Sequence, residues 1–139
     1  MKKQEPLTES YFYILLCLYD RPRHGYGIMQ KVAAISDGNV KIGSGTMYGA
    51  VSNMLKKGWI IEIESDDPED KRKRLYQLTQ EGRTVLNEEI SRLRLLEDYA
   101  DKVIMKTRRT SHKVYGVWEY DFIMYQEQQF LQTTQQILQ

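Results

Sequence analysis

Two histidines, His24 and His112, and one cysteine, Cys17, are all the imidazole and thiol that the 139 residues offer. They are scattered, so no metal-ligand spacing forms around them. His24 has no neighbouring nucleophile or acid cluster and reads as part of a helix start. Cys17 has no partner and reads as an inert core residue rather than a redox sensor. The stretch "GNVKIGSG" carries glycines spaced as in a phosphate-binding loop, but a Walker loop closes on Gly-Lys-Ser/Thr. Here Gly43 is followed by Ser44 and Gly45, so the lysine that would neutralise phosphate is missing. The acidic run Asp66, Asp67, Glu69 and Asp70 lacks the alternation and closing glutamate of a calcium loop and reads as a solvated hairpin tip. No enzyme, metal or cofactor is expected.

The chemistry that remains lies in Lys41 to Glu64, "KIGSGTMYGAVSNMLKKGWIIEIE". Met47, Val51, Met54 and Leu55 fall on one face of a helix. The opposite face carries Gly45, Gly49, Ser52, Asn53 and Lys56. An interior glycine costs a helix about 1 kcal/mol relative to alanine, so something other than helix stability selects Gly45 and Gly49. A bare face of small, polar and basic residues suits the close approach of another backbone. Gly58 is expected to stop this helix.

The elements that must position this face are legible around it. A helix capped by Thr8 should run to about Tyr19 and end at "DRPR". It is apolar nearly all round, which implies burial on every side and suggests a partner chain. A second helix should begin between His24 and Gly27 and reach about Ile35, closed by "SDGN". "WIIEIE" and "RLYQL" read as two strands of a hairpin with a polar tip. Thr79 should open a long helix to about Lys106, whose apolar seam suits helix–helix pairing. "RRTSHK" reads as a linker, and the aromatic, glutamine-rich segment after it as a fifth helix. The expected organisation is a domain of helices and hairpin over 1–78, a pairing helix over 79–107 and a C-terminal extension over 108–139.

The totals limit what kind of protein this is. Twenty Lys and Arg against nineteen Asp and Glu give a net charge of +1, so any nucleic-acid surface must come from local clustering. One cysteine allows no internal disulfide and fits a reducing interior. The early apolar run "YFYILLCLY" is too short to span a bilayer. The expectation is a soluble cytoplasmic protein.

Two helices joined by a turn, the second with a small and basic outer face, are the ingredients of a helix-turn-helix reader. On this reading the outer face of residues 44 to 57 enters the major groove. Ser52 and Asn53 are candidates for base edges, and Lys56 and Lys57 for phosphates. Ser44, Gly45 and Gly49 let the helix start approach the DNA backbone. Lys71, Arg72, Lys73 and Arg74, at the entry to the second strand, are candidates for phosphate or minor-groove contact, or for pairing with the acidic tip.

"RHGYGIMQKV", "GSGTMYGAVSNMLKKGWI" and "KRLYQLTQEGRTVL" resemble the PadR family of bacterial transcriptional regulators, over roughly residues 7 to 107. The resemblance implies a mainly α, α+β winged helix-turn-helix domain with a two-stranded wing and a long C-terminal dimerisation helix. It implies a homodimeric repressor of a pseudo-palindromic double-stranded operator, in some members released by a small aromatic or drug-like ligand. Tyr26 matches the tyrosine at the second helix's start, Thr46 and Tyr48 the residues opening the recognition helix, and Tyr76 and Thr79 the exit from the wing. Met47 stands where leucine is usual and Gly49 where proline is frequent.

The dimer is expected to form on Tyr11, Ile14, Leu15 and Leu18 of the first helix. From the long helix it should use Leu86, Ile90, Leu93, Leu96, Ala100, Val103 and Ile104. Tyr11, Phe12, Tyr13, Tyr99 and Trp118 could stack on a flat hydrophobic ligand or simply pack. Two other readings are a winged-helix protein-interaction module without DNA binding and a small-molecule sensor whose DNA role is secondary.

Overall fold

The structure is a computed structural model that describes residues 5–69, 74–110, 127–128, 131–132 and 135–138. Its contacts divide the chain into two compact units, Met1–Arg92 and Leu93–Gln139.

In the first unit, helix α1 (Glu9–Cys17) opens on Thr8, whose hydroxyl accepts the Tyr11 N–H at 3.2 Å. A two-residue strand β1 (Arg23–His24) leads into α2 (Gly25–Ile35), and α3 (Ser44–Lys57) follows. Both α2 and α3 pack on α1. Ile14, Leu15 and Leu18 are therefore at most 2% exposed within one chain. The chain's own helices thus cover one side of α1, while Tyr11, Phe12, Tyr13 and Leu16 stay partly exposed. Leu86, also expected at the dimer, is fully buried in the same core. None of Ile14, Leu15, Leu18 and Leu86 has surface left for a second copy. Ile90 is partly buried against that core.

Helix α3 buries Met47, Ala50, Val51 and Met54. Gly58 ends it in the left-handed conformation at φ 75°. Its N–H reaches the Leu55 carbonyl at 3.1 Å while Trp59 N–H reaches Met54 at 3.0 Å, the bond pair of a Schellman turn. Lys56 and Lys57 in the last turn offset the negative end of the helix dipole.

The wing is β2 (Ile60–Glu64) against β3 (Arg74–Leu78), antiparallel, with Ile60 opposite Leu78 and Glu62 opposite Tyr76. Strand β1 pairs with the other edge of β3, giving a three-stranded sheet in the order β1-β3-β2 where two strands were expected. Two residues are too few to show alternation, so the sequence carries no sign of it. His24 strengthens the pairing, its Nδ1 lying 3.1 Å from the Arg74 carbonyl oxygen.

Helix α4 (Gln80–Thr110) is locked to the sheet at its start. The Thr79 hydroxyl accepts the Gly82 N–H at 3.0 Å, as a helix cap does. Its own proton lies between the carbonyls of Gly58 at 2.6 Å and Trp59 at 2.9 Å. A Cβ on Gly82 would overlap the Trp59 carbonyl and sit 2.7 Å from Leu78 Cδ1. The Thr-x-x-Gly spacing thus lets α4 touch the end of α3. Val85, Leu86 and Glu89 carry the burial onward, so the first compact unit runs past Thr79 to Arg92.

Glu89, only 4% exposed, accepts the Leu7 N–H at 2.6 Å and the Arg92 guanidinium, one bond of which is 3.1 Å. The Arg92 hydrogen bond, opposed by burial and helped by Leu7 N–H, holds its carboxyl below the usual glutamate range.

In the second unit α4 continues to Thr110, beyond the expected end near Lys106 and into the expected linker. The described tail residues 127–128, 131–132 and 135–138 are helical, and the rest of the expected fifth helix lies outside the described residues. Among the described residues no helix is long and apolar enough to cross a membrane.

Two stability predictions follow from these contacts. Gly82→Ala should lower stability by more than about 2 kcal/mol in chemical unfolding, although alanine favours helices by about 1 kcal/mol. A gain in stability would contradict the close approach to Trp59. Glu89 titrates lower when folded, so its contribution is complete above the unfolded pKa and is lost as pH falls through the folded one. Glu89→Gln should therefore cost about 1–3 kcal/mol at pH 7, and the gap from the parent should close in acid. A gap independent of pH would show that the carboxylate is not the stabilising form.

Candidate nucleic-acid interface

The inner face of α3 is fixed by the core, and this dictates what its outer face presents. Gly45, Gly49, Ser52 and Lys56 fall opposite Met47, Ala50, Val51 and Met54, and all four are exposed. Beyond the adjoining residues and the helix's own backbone, a Cβ built on Gly45 or Gly49 meets no atom within 4 Å. Neither glycine is demanded by packing inside the chain, and the helix backbone lies bare between them.

One flank of this face meets α2. Tyr48 is 53% exposed, yet its ring leans over Gly25, where a Cβ would lie 3.1 Å from the phenol oxygen and 2.7 Å from Met47 Cε. Gly25, which the sequence reading left without a role, thus allows the starts of α2 and α3 to close on each other. Tyr26, the next residue, is 68% exposed. Ser44 and Thr46, in the first turn of α3, are exposed as well, so the starts of both helices carry exposed hydroxyls. Hydroxyls and unpaired helix N–H groups are the usual partners of phosphate oxygens.

The other flank meets α1. Asn53 is exposed, and its Nδ2 donates to the Tyr11 hydroxyl at 2.8 Å. Tyr11, expected at the dimer interface, is half-buried within the chain, with its ring edge-on to Trp59 at 6.4 Å. Lys57 Nζ rests 4.7 Å from the centre of the Trp59 ring. Lys57 therefore keeps its charge exposed while its position is steadied by a cation–π contact. Lys56 is exposed on the outer face.

The wing contributes less that can be located. Arg74 is exposed and pairs with Glu62 across the sheet at 3.4 Å. A surface pair of this kind is weak and exchangeable. Lys71, Arg72 and Lys73 lie outside the described residues.

The apolar seam of α4 splits between two settings. Leu86 and Ile90 face the core of the first unit. In the second unit Leu93, Leu96, Val103 and Ile104 are 42–65% exposed, with Leu95 and Tyr99 in the same range. Ala100 is exposed as well. Of the aromatic residues considered for a ligand, Phe12 and Tyr13 pack against the core and Trp118 lies outside the described residues.

The single thiol, Cys17, is muted. Burial pushes the Cys17 thiol up to about 11, against the opposing pull of Arg23 and Lys31, so it stays protonated and unreactive near neutrality. Among the described residues no group of three His, Cys, Asp or Glu could hold a metal ion.

The comparisons agree with this geometry. The sequence model of the "Transcriptional regulator PadR-like family" matches residues 14–88. A PadR family transcription regulator from Clostridium difficile R20291 superposes with a TM-score of 0.60 at 22% identity, covering 70% of this chain and 99% of that one. A transcriptional regulator from Clostridium thermocellum gives 0.59 at 22% identity, over 67% of this chain and 87% of that one. A PadR-like transcription factor from Bacteroides fragilis gives 0.57 at 18% identity, over 67% and 87%. No curated protein is significantly similar in sequence. Matched over more than half of its length and folded as a winged helix-turn-helix, the chain belongs to the PadR-like family of DNA-binding transcriptional regulators.

Proposed function

We propose that the protein is a homodimeric cytoplasmic repressor that sets the outer face of α3 into the major groove of a pseudo-palindromic operator. The observation that carries this reading is the bare backbone at Gly45 and Gly49, open to 4 Å, beside exposed Ser52, Asn53, Lys56 and Lys57. A helix that gives up its own stability for a smooth outer surface gains from it only when something large comes close. Ser52 and Asn53 read base edges, and Lys56 and Lys57 hold phosphates on either side. Tyr26, Ser44, Thr46 and Tyr48 fix the helix starts on the DNA backbone. Arg74, with Lys71, Arg72 and Lys73, follows the adjacent strand.

The reading takes 1–78 as the DNA-binding region and 79–107 as the helix that pairs two copies. Support for pairing comes from the row Leu93, Leu96, Ala100 and Val103, exposed at alternating spacings of three and four. Two-fold symmetry then places half-sites one DNA turn, about 34 Å, apart. Release by a flat aromatic compound belongs to the same reading, with exposed Tyr99 beside that row as its stacking partner.

Salt titration of duplex binding tests the interface. Lys56→Ala and Lys57→Ala should each weaken binding to every sequence and lower the slope of log K against log salt by about one. Two chains should bind each duplex. Slopes unchanged in both variants would remove the lysines from the interface, and one chain per duplex would sink the dimer.

A further inference from the structure

Asn53 is tied down before any DNA arrives, with its Nδ2 turned toward the Tyr11 hydroxyl at 2.8 Å. We propose that Tyr11 is a positioning residue for sequence recognition: its hydroxyl holds the Asn53 amide so that α3 accepts adenine and refuses guanine at one position of each half-site. This rests on the reading of α3 as the base-reading helix and goes beyond it in naming what sets its specificity.

Tyr11 is itself a fixed point. Its backbone N–H is bound by the Thr8 cap at 3.2 Å, and its ring is held edge-on by Trp59, with interplanar angle 86°. Its hydroxyl receives Asn53 Nδ2 at 2.8 Å from a residue forty-two positions away. An asparagine amide has two N–H donors and one carbonyl acceptor. With one N–H spent on Tyr11, the amide turns one N–H and the carbonyl outward. Adenine presents the matching pair, an acceptor at N7 and a donor at N6. Guanine presents two acceptors, N7 and O6, so its O6 would oppose the outward carbonyl. The flipped amide, accepting from Tyr11, would turn both N–H groups outward and lose that distinction. A free asparagine would sample both states and would have to be ordered on binding, at a cost in side-chain entropy.

The alternative is that the bond only fastens α1 to α3. The two roles differ in what they change: fastening alters affinity for all sequences alike, whereas positioning alters one base pair.

A randomised-duplex selection separates them, run at one salt concentration with the full chain, Tyr11→Phe, Asn53→Ala and the double variant. Tyr11→Phe removes one oxygen and keeps the ring on Trp59. We expect the parent to enrich adenine at one position per half-site and Asn53→Ala to flatten that position. Tyr11→Phe should lower the adenine-to-guanine ratio there by about three- to tenfold, the worth of one hydrogen bond. Other positions should hold, and the double variant should match Asn53→Ala. If Asn53→Ala flattens one position but Tyr11→Phe scales all positions together, or changes none, the positioning role is overturned while the base-reading helix stands. If Asn53→Ala leaves every position as it was, base reading by Asn53 falls and the proposal with it.

A second measurement on the parent alone guards against misfolding of Tyr11→Phe. In the free protein one side-chain amide proton of Asn53 should exchange with solvent more slowly than those of exposed Asn87. Equal exchange would overturn the tie.

Discussion

The rest of the structure depends on one constraint, that α3 be anchored by a single face. Met47, Ala50, Val51 and Met54 are buried to 3% exposure or less, and the side opposite them is left bare. A helix held this way cannot borrow stability from its outer surface, where Gly45 and Gly49 weaken it further. Its position must be set by its inner face and by its two ends. Both ends are secured by contacts that admit no larger residue or by a defined stop. At the start, Gly25 allows Tyr48 and Met47 to close on α2. At the end, Gly58 turns the chain in the left-handed region and hands it to Trp59.

Trp59 then links the end of α3 to the start of α4. Its carbonyl receives Thr79 N–H at 3.0 Å and lies against Gly82, so the first turn of α4 is built on the last turn of α3. Its ring steadies Lys57 on one side and Tyr11 on another. Glu89 closes the circuit by fastening α4 to the segment that leads into α1. The outer face of α3, proposed above to meet a duplex, is positioned by the core, and the exposed polar groups on its flanks, Tyr48 and Asn53, lie against Gly25 and Tyr11.

Much of this was legible in the sequence because its physics is local. The split of α3 into apolar and bare faces, the Thr8 cap, the Gly58 stop and the paired strands all follow from spacings within one element. The misses come from contacts between residues distant in sequence. Strand β1 is two residues long and is defined by its pairing with β3, some fifty positions later. Helix α1 reads as apolar nearly all round, and only the fold shows which side of it α2 and α3 cover. The need for Gly82 comes from a carbonyl twenty-three positions earlier, and the bond from Asn53 to Tyr11 joins helices that no periodicity relates. Leu86 and Leu93 continue one apolar pattern, and only the fold shows that the first is core while the second is exposed.

The most direct test of the account is the paired measurement of stability and DNA affinity for Gly45→Ala with Gly49→Ala. Beyond the adjoining residues and the helix's own backbone no atom lies within 4 Å of either added methyl, so the free protein should become more stable, by about 1 kcal/mol at interior Gly49 and by less at Gly45 in the first turn. Duplex affinity should fall at the same time, because the methyls occupy the space the DNA backbone needs. Opposite signs in the two readouts are the predicted result. A protein that gains stability and binds its duplex as tightly as before would contradict the claim that the bare face of α3 is there to be approached.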